Sequence, residues 1–136
     1  MWKTLLFTLL LTGHAWSAPC DCEVRVHSPI TGSHRMEPVV IKRYELETFP
    51  RINKTSINAC RSLCQKAFRE DMPAERLSGL LINYSMELIE QKAVGYNCTG
   101  LTTLKYPVRV RATLSGRGLG NVEDLVQVVN HEEICF

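Results

Sequence analysis

Net charge of either sign is nearly missing from this sequence. Sixteen Lys and Arg stand against 14 Asp and Glu, a formal balance of +2. That balance argues against nucleic acid as a main partner, because phosphate binding needs a strongly basic face. Internal repeats, low-complexity tracts and long linkers are also missing. A second long apolar run is missing too, so a stable membrane anchor is not expected. The chemistry of catalysis is equally thin. There is no G-x-S-x-G, no His-Glu-x-x-His and no lone cysteine set against a histidine. The glycines of Gly116 to Gly120, "GRGLG", have the wrong spacing for a nucleotide fingerprint. His14, His27, His34 and His131 lack metal-ligand spacing. The expectation is a protein that is not an enzyme and needs no cofactor.

What is present begins at the first residue. Met1-Trp2-Lys3 is short and positively charged, and residues 4–12, "TLLFTLLLT", are apolar and uncharged. The small-residue stretch "GHAWSAP" closes the segment. This is the three-part layout of a secretory signal peptide, too short to span a bilayer. Ala15 and Ser17 put small side chains where signal peptidase wants them, which predicts a leader of residues 1–17. The segment 18–136 then forms one extracellular domain. Lys3 is the only charge lost, so the mature balance falls to +1.

All six cysteines, Cys20, Cys22, Cys60, Cys64, Cys98 and Cys135, lie beyond the leader. An even number in an exported chain reads as three disulfides. Zinc is the competing use of four such thiolates, and an oxidising compartment makes it the minor one. Of the 15 pairings open to six cysteines, geometry disfavours two pairs. Cys20 and Cys22 share one strand face, and Cys60 and Cys64 sit one helical turn apart with parallel Cβ vectors. About ten pairings survive. The simplest joins Cys20 and Cys22 to Cys60 and Cys64, leaving Cys98 with Cys135.

Periodicity supplies a coarse fold. "CDCEVRV" at 20–26 alternates as a half-buried strand, and 39–49 is rich in β-branched and aromatic residues. Residues 56–71 carry apolar side chains at helical spacing, with Thr55 or Ser56 available as a cap and Pro73 as a stop. From Leu80 onward, Ile82, Tyr84, Met86 and Leu88 alternate with polar residues, which favours a strand over a short helix. Residues 106–114 and 122–129 read as a hairpin turned by "SGRGLGN" at 115–121. The predicted class is α+β: a small disulfide-rich domain with a largely antiparallel sheet and one packed helix.

Two sets of surface residues are candidates for function. Asn53, Asn83 and Asn97 each open an N-x-Ser/Thr sequon, and in an exported chain these are candidate glycan acceptors. Arg109 and Arg111 share a strand face, with Lys105 and Arg117 near its ends. Such a ridge would suit a polyanion. The plainer alternative is a solvated face paired to Glu123 and Asp124 across the hairpin.

The residues "CDCEV", "ACRSLCQKAF" and "EEIC" give the chain a resemblance to the small secreted arthropod proteins related to follicle cell protein 3C. That resemblance rests on cysteine spacing and implies a secreted, non-enzymatic role. It carries over no functional site. The expected function is a secreted binding or signalling protein with a protein receptor or other extracellular partner. The alternative is a toxin or defence protein acting on membranes or channels.

Overall fold

A computed structural model describes residues 17–27, 37–90 and 103–134. Four strands and three helices appear among them: β1 (Ala18–Val26), β2 (Val39–Phe49), α1 (Lys54–Asp71), α2 (Ala74–Glu90), β3 (Leu104–Leu114), β4 (Arg117–Val129) and the single turn α3 (His131–Ile134). The strands form one antiparallel sheet in the order β2-β1-β3-β4. The class is therefore α+β, with a sheet covered on one face by helices.

Strict alternation positions the two central strands. Cys20, Cys22, Val24 and Val26 of β1 point to the helices and are fully buried. Leu104, Tyr106, Val108, Val110, Ala112 and Leu114 of β3 do the same. The register sets Val24 opposite Val110 and Cys22 opposite Ala112. The β3–β4 connection is tighter than the sequence predicts. Only Ser115 and Gly116 lie outside the strands, with φ of 51° and 80°. Positive φ at both positions is the two-residue hairpin geometry that matches strand twist. The rest of the glycine-rich stretch belongs to β4, where register shifts absorb it.

Helix α1 starts two residues earlier than the apolar pattern implies. Its cap is Asn53 rather than Thr55 or Ser56. The Asn53 Oδ1 accepts from the Ser56 backbone N–H at 2.8 Å, and the Asn53 N–H donates to the Ser56 hydroxyl at 2.9 Å. This reciprocal capping box satisfies two donors that a helix start otherwise leaves orphaned. Ser56, Cys60, Cys64 and Phe68 form the buried stripe. Met72, ahead of Pro73, leaves helical geometry as a pre-proline residue should.

The expected strand through Ile82, Tyr84, Met86 and Leu88 is a helix. Helix α2 buries Leu77, Leu81, Ser85 and Leu88, a spacing of four, four and three. Ser85 hides this stripe from a hydropathy reading because a hydroxyl occupies one of its core positions. Ile82, Tyr84 and Met86 are only half-buried, so their alternation has no structural consequence. The sheet is accordingly covered by two long helices where one was expected.

Candidate functional site

Two disulfides tie β1 to α1: Cys20–Cys60 and Cys22–Cys64, with Cα separations of 5.7 and 5.2 Å. A two-residue step along a strand and a four-residue step along a helix both advance along one face by about 6 to 7 Å. Two parallel bridges therefore fit without distorting either element. All four sulfurs are buried. These are the pairings the simplest arrangement anticipates. Cys98 and Cys135 fall outside the described residues. Such bridges place the folded chain in an oxidising environment.

A second clamp joins the two helices to β2. The Tyr44 hydroxyl donates to Asp71 Oδ2 at 2.6 Å, and Arg76 Nη1 reaches Asp71 Oδ1 at 2.5 Å and the Asp71 carbonyl at 2.9 Å. Lys42 Nζ lies 5.6 Å from the centre of the Tyr44 ring. Burial, and then the Asp71 carboxylate, push the Tyr44 hydroxyl well above its ordinary pKa. The hydrogen bond from Tyr44, reinforced by Arg76, holds the Asp71 carboxyl below the usual range. A carboxyl depressed in the folded state contributes stability above its unfolded pKa and loses it as pH falls through the folded value. Urea midpoints measured downward from about pH 5 should thus fall, and Tyr44→Phe should flatten that acid limb while leaving Arg76 in place. An unchanged acid limb in the variant would rule out this coupling.

The sheet face away from the helices carries the side chains with the most capacity for recognition. Arg25 of β1 lies directly opposite Arg109 of β3, and Glu23 lies between Arg43 of β2 and Arg111 of β3. Both Glu23 oxygens are engaged: Oε2 by Arg25 at 3.0 Å and Oε1 by Arg43 at 3.0 Å. Arg109 meets Asp124 at 3.6 Å. The guanidinium of Arg111 fills the space that a side chain at Gly118 would need. The next row along the sheet sets Asp21 beside Glu45. A band of four arginines thus adjoins an acidic band. His27, at the arginine corner, is held below the ordinary imidazole pKa, first by burial and then by Arg109 and Arg25.

The predicted ridge is redrawn by this register. Arg109 and Arg111 share the open face with Lys105, which is exposed. Arg117 is opposite Leu114, whose side chain enters the core, so it does not extend the ridge. Asp124 pairs with Arg109 as the plainer alternative supposes, whereas Glu123 faces α1, with Arg69 Nε at 2.6 Å and Gln65 Nε2 at 3.2 Å. Arg25, Arg43 and Glu23 were missed as site residues. The outward alternation of Asp21, Glu23 and Arg25 showed which face they occupy, but only strand order brings them to β3.

Two of the three sequons can be placed. Asn53 is exposed at the start of α1 and Asn83 is exposed on α2, while Asn97 lies outside the described residues. Asn83 sits on the polar side of a helix, not of a strand. Its sequon hydroxyl, Ser85, is wholly buried. A polar groove of about 260 Å³ runs between α1 and β4, lined by Asn58, Arg61, Ser62, Gln65 and Val122. An apolar pocket of about 180 Å³ lies at the junction of β2 and α1, lined by Phe49, Pro50, Arg51, Asn53, Thr55 and Ser56. Among the described residues no group of His, Cys, Asp or Glu is arranged to hold a metal ion, and no helix is long and apolar enough to cross a membrane. Comparison with protein-family models, curated proteins and solved structures finds no match.

Proposed function

We propose that this chain is a secreted, glycosylated, non-enzymatic protein that binds a protein receptor or other extracellular partner through the open face of its sheet. The observation that carries the reading is the buried double bridge between β1 and α1. It supports a fold matured in the export pathway, in keeping with a leader at residues 1–17. The strands so pinned display the arginine and acidic bands on a rigid surface. Exposed ion pairs contribute only about 0.2–1 kcal/mol each to stability, so this patterning is better suited to orienting a charged partner than to holding the fold. Kinship with the secreted proteins related to follicle cell protein 3C belongs to the same proposal.

The test uses protein collected from culture medium. It should start at Ala18, contain no reactive thiols and bind intact cells saturably in the nanomolar range. Arg109→Glu combined with Arg111→Glu should weaken that binding about tenfold or more, chiefly by slowing association. Absence of any saturable partner, or equal binding by the variant, defeats the assignment. Retention in cytosol with the leader intact defeats the extracellular reading itself. A toxin or defence role is the second reading, favoured by one feature: Arg25 facing Arg109 concentrates positive charge that their acidic neighbours only partly offset. Lysis of anionic vesicles, lost in the same double variant, would support it; the mature balance of +1 weighs against it.

A further inference from the structure

We infer that Asn53 carries an N-linked glycan whose first sugar packs into the apolar pocket beside it. This rests on the secreted reading above and adds a modification site and its contact. The pocket at the end of β2 is walled by Phe49, Pro50 and Arg51, and its rim is Asn53 and Thr55, the two residues that make the sequon. Its lining is mainly apolar, and its size suits a single sugar ring rather than a chain. The occupant is therefore supplied by the covalent chemistry at its own rim.

The folded geometry of Asn53 accommodates the glycan. Its backbone is extended, with φ −151° and ψ 178°. Its Oδ1 is held by the Ser56 N–H at 2.8 Å, which fixes the plane of the amide. The Nδ2 has no hydrogen-bond partner among the described residues. Glycosylation uses that nitrogen and spares the oxygen, so the helix cap survives modification. The donor is an oligosaccharide carried on a lipid diphosphate in the export pathway. Nδ2 attacks the anomeric carbon, the N–C bond forms and Nδ2 loses one proton. The bond from that carbon to the diphosphate oxygen breaks, and the lipid diphosphate leaves. The apolar face of the sugar ring can then lie against the Phe49 ring and the Pro50 ring, as apolar faces do on aromatic side chains. The Asn83 site offers no such pocket: it is exposed on α2, and its Ser85 hydroxyl is already bonded to Leu81 and Tyr106.

The experiment uses the full chain secreted with Asn83→Gln and Thr99→Ala, which leaves Asn53 as the one acceptor. Mass spectrometry should find Asn53 occupied. An endoglycosidase then trims the glycan to its first sugar, and an amidase in a parallel sample removes all of it, leaving aspartate. Aspartate still caps the helix, and the carboxylate it adds is the same in Phe49→Leu, so comparing the two proteins isolates the contact between sugar and pocket. Trimming to one sugar should leave the melting temperature unchanged. Complete removal should lower it by about 3 °C, and in Phe49→Leu that difference should vanish. Secreted, bridged protein with a bare Asn53, or equal melting temperatures for the one-sugar and no-sugar forms, overturns the inference while leaving the secreted reading intact. Failure of secretion, with thiols reduced, overturns the reading on which it rests.

Discussion

Removing both bridges together, by converting Cys20, Cys22, Cys60 and Cys64 to alanine, is expected to unfold the domain at 37 °C, whereas removing either bridge alone is expected to leave it folded. The reason is the geometry of the ladder. Each bridge closes a loop of similar size, with sequence separations of 40 and 42. In the chain-entropy picture the first such closure contributes about 4 kcal/mol. Once it exists, the second closes only the small ring made of Cys20 to Cys22 and Cys60 to Cys64. A ring of about seven residues contributes about 2.4 kcal/mol. Either single deletion therefore costs about 2.4 kcal/mol, and both together cost about 6 kcal/mol. A small domain near the lower end of the usual range of about 5–15 kcal/mol survives the first loss and not the second. Urea midpoints of the two paired-alanine variants and of the quadruple variant measure this directly. Strict additivity of the single losses, or a quadruple variant that still melts cooperatively above 37 °C, would refute the ladder account.

Truncating Tyr106 to alanine should cost about 3–5 kcal/mol, the range for deleting a fully buried aromatic. Tyr106 is completely shielded on β3 and meets Tyr84 of α2 with ring centres 6.0 Å apart. It is the largest side chain joining the sheet to that helix. Its hydroxyl makes a more discriminating experiment possible. Ser85 Oγ donates to the Leu81 carbonyl at 2.6 Å, so the 2.6 Å bond between Ser85 and Tyr106 has the tyrosine as donor. Burial pushes the Tyr106 pKa up to about 12. Ser85→Ala strands the tyrosine hydroxyl in the core at about 1–3 kcal/mol. Tyr106→Phe leaves Ser85 still bonded to Leu81 and should be nearly neutral. The double variant should then be more stable than Ser85→Ala alone. Thermal and urea unfolding of the four proteins decide the matter, and a double variant no better than Ser85→Ala would show that the hydroxyl pair is uncoupled.

The same serine explains the main error in reading this chain. Residues 77–88 combine two periods, and a core position filled by Ser85 broke the helical one. The alternation of Ile82, Tyr84, Met86 and Leu88 was left as the stronger signal. No local propensity reveals that a serine on this helix will be buried; only the approach of Tyr106 from β3 makes position 85 a core site. The cap of α1 was misplaced for a related reason. Asn53, Thr55 and Ser56 are all good capping residues, and the choice fell to the one whose partner three residues on returned the bond.

β1, β3 and the body of α1 were legible because each announces its buried face through a single unbroken period, and β2 through its β-branched and aromatic composition. The bridges were legible as well: Cys-x-Cys repeats at the strand period and Cys-x3-Cys at the helical one, so each pair lies on the face that becomes core. Those are properties of neighbours along the chain. Strand order is not. That β1 runs between β2 and β3, bringing Arg25 against Arg109 and setting Glu23 between Arg43 and Arg111, depends on pairing β1 with a strand more than 80 residues away. The pocket beside Asn53 is the opposite case, because residues 49–56 that line it are neighbours along the chain. Covalent framework and amphipathic faces are written locally, whereas the surface that meets a partner exists only once packing has decided which faces lie side by side.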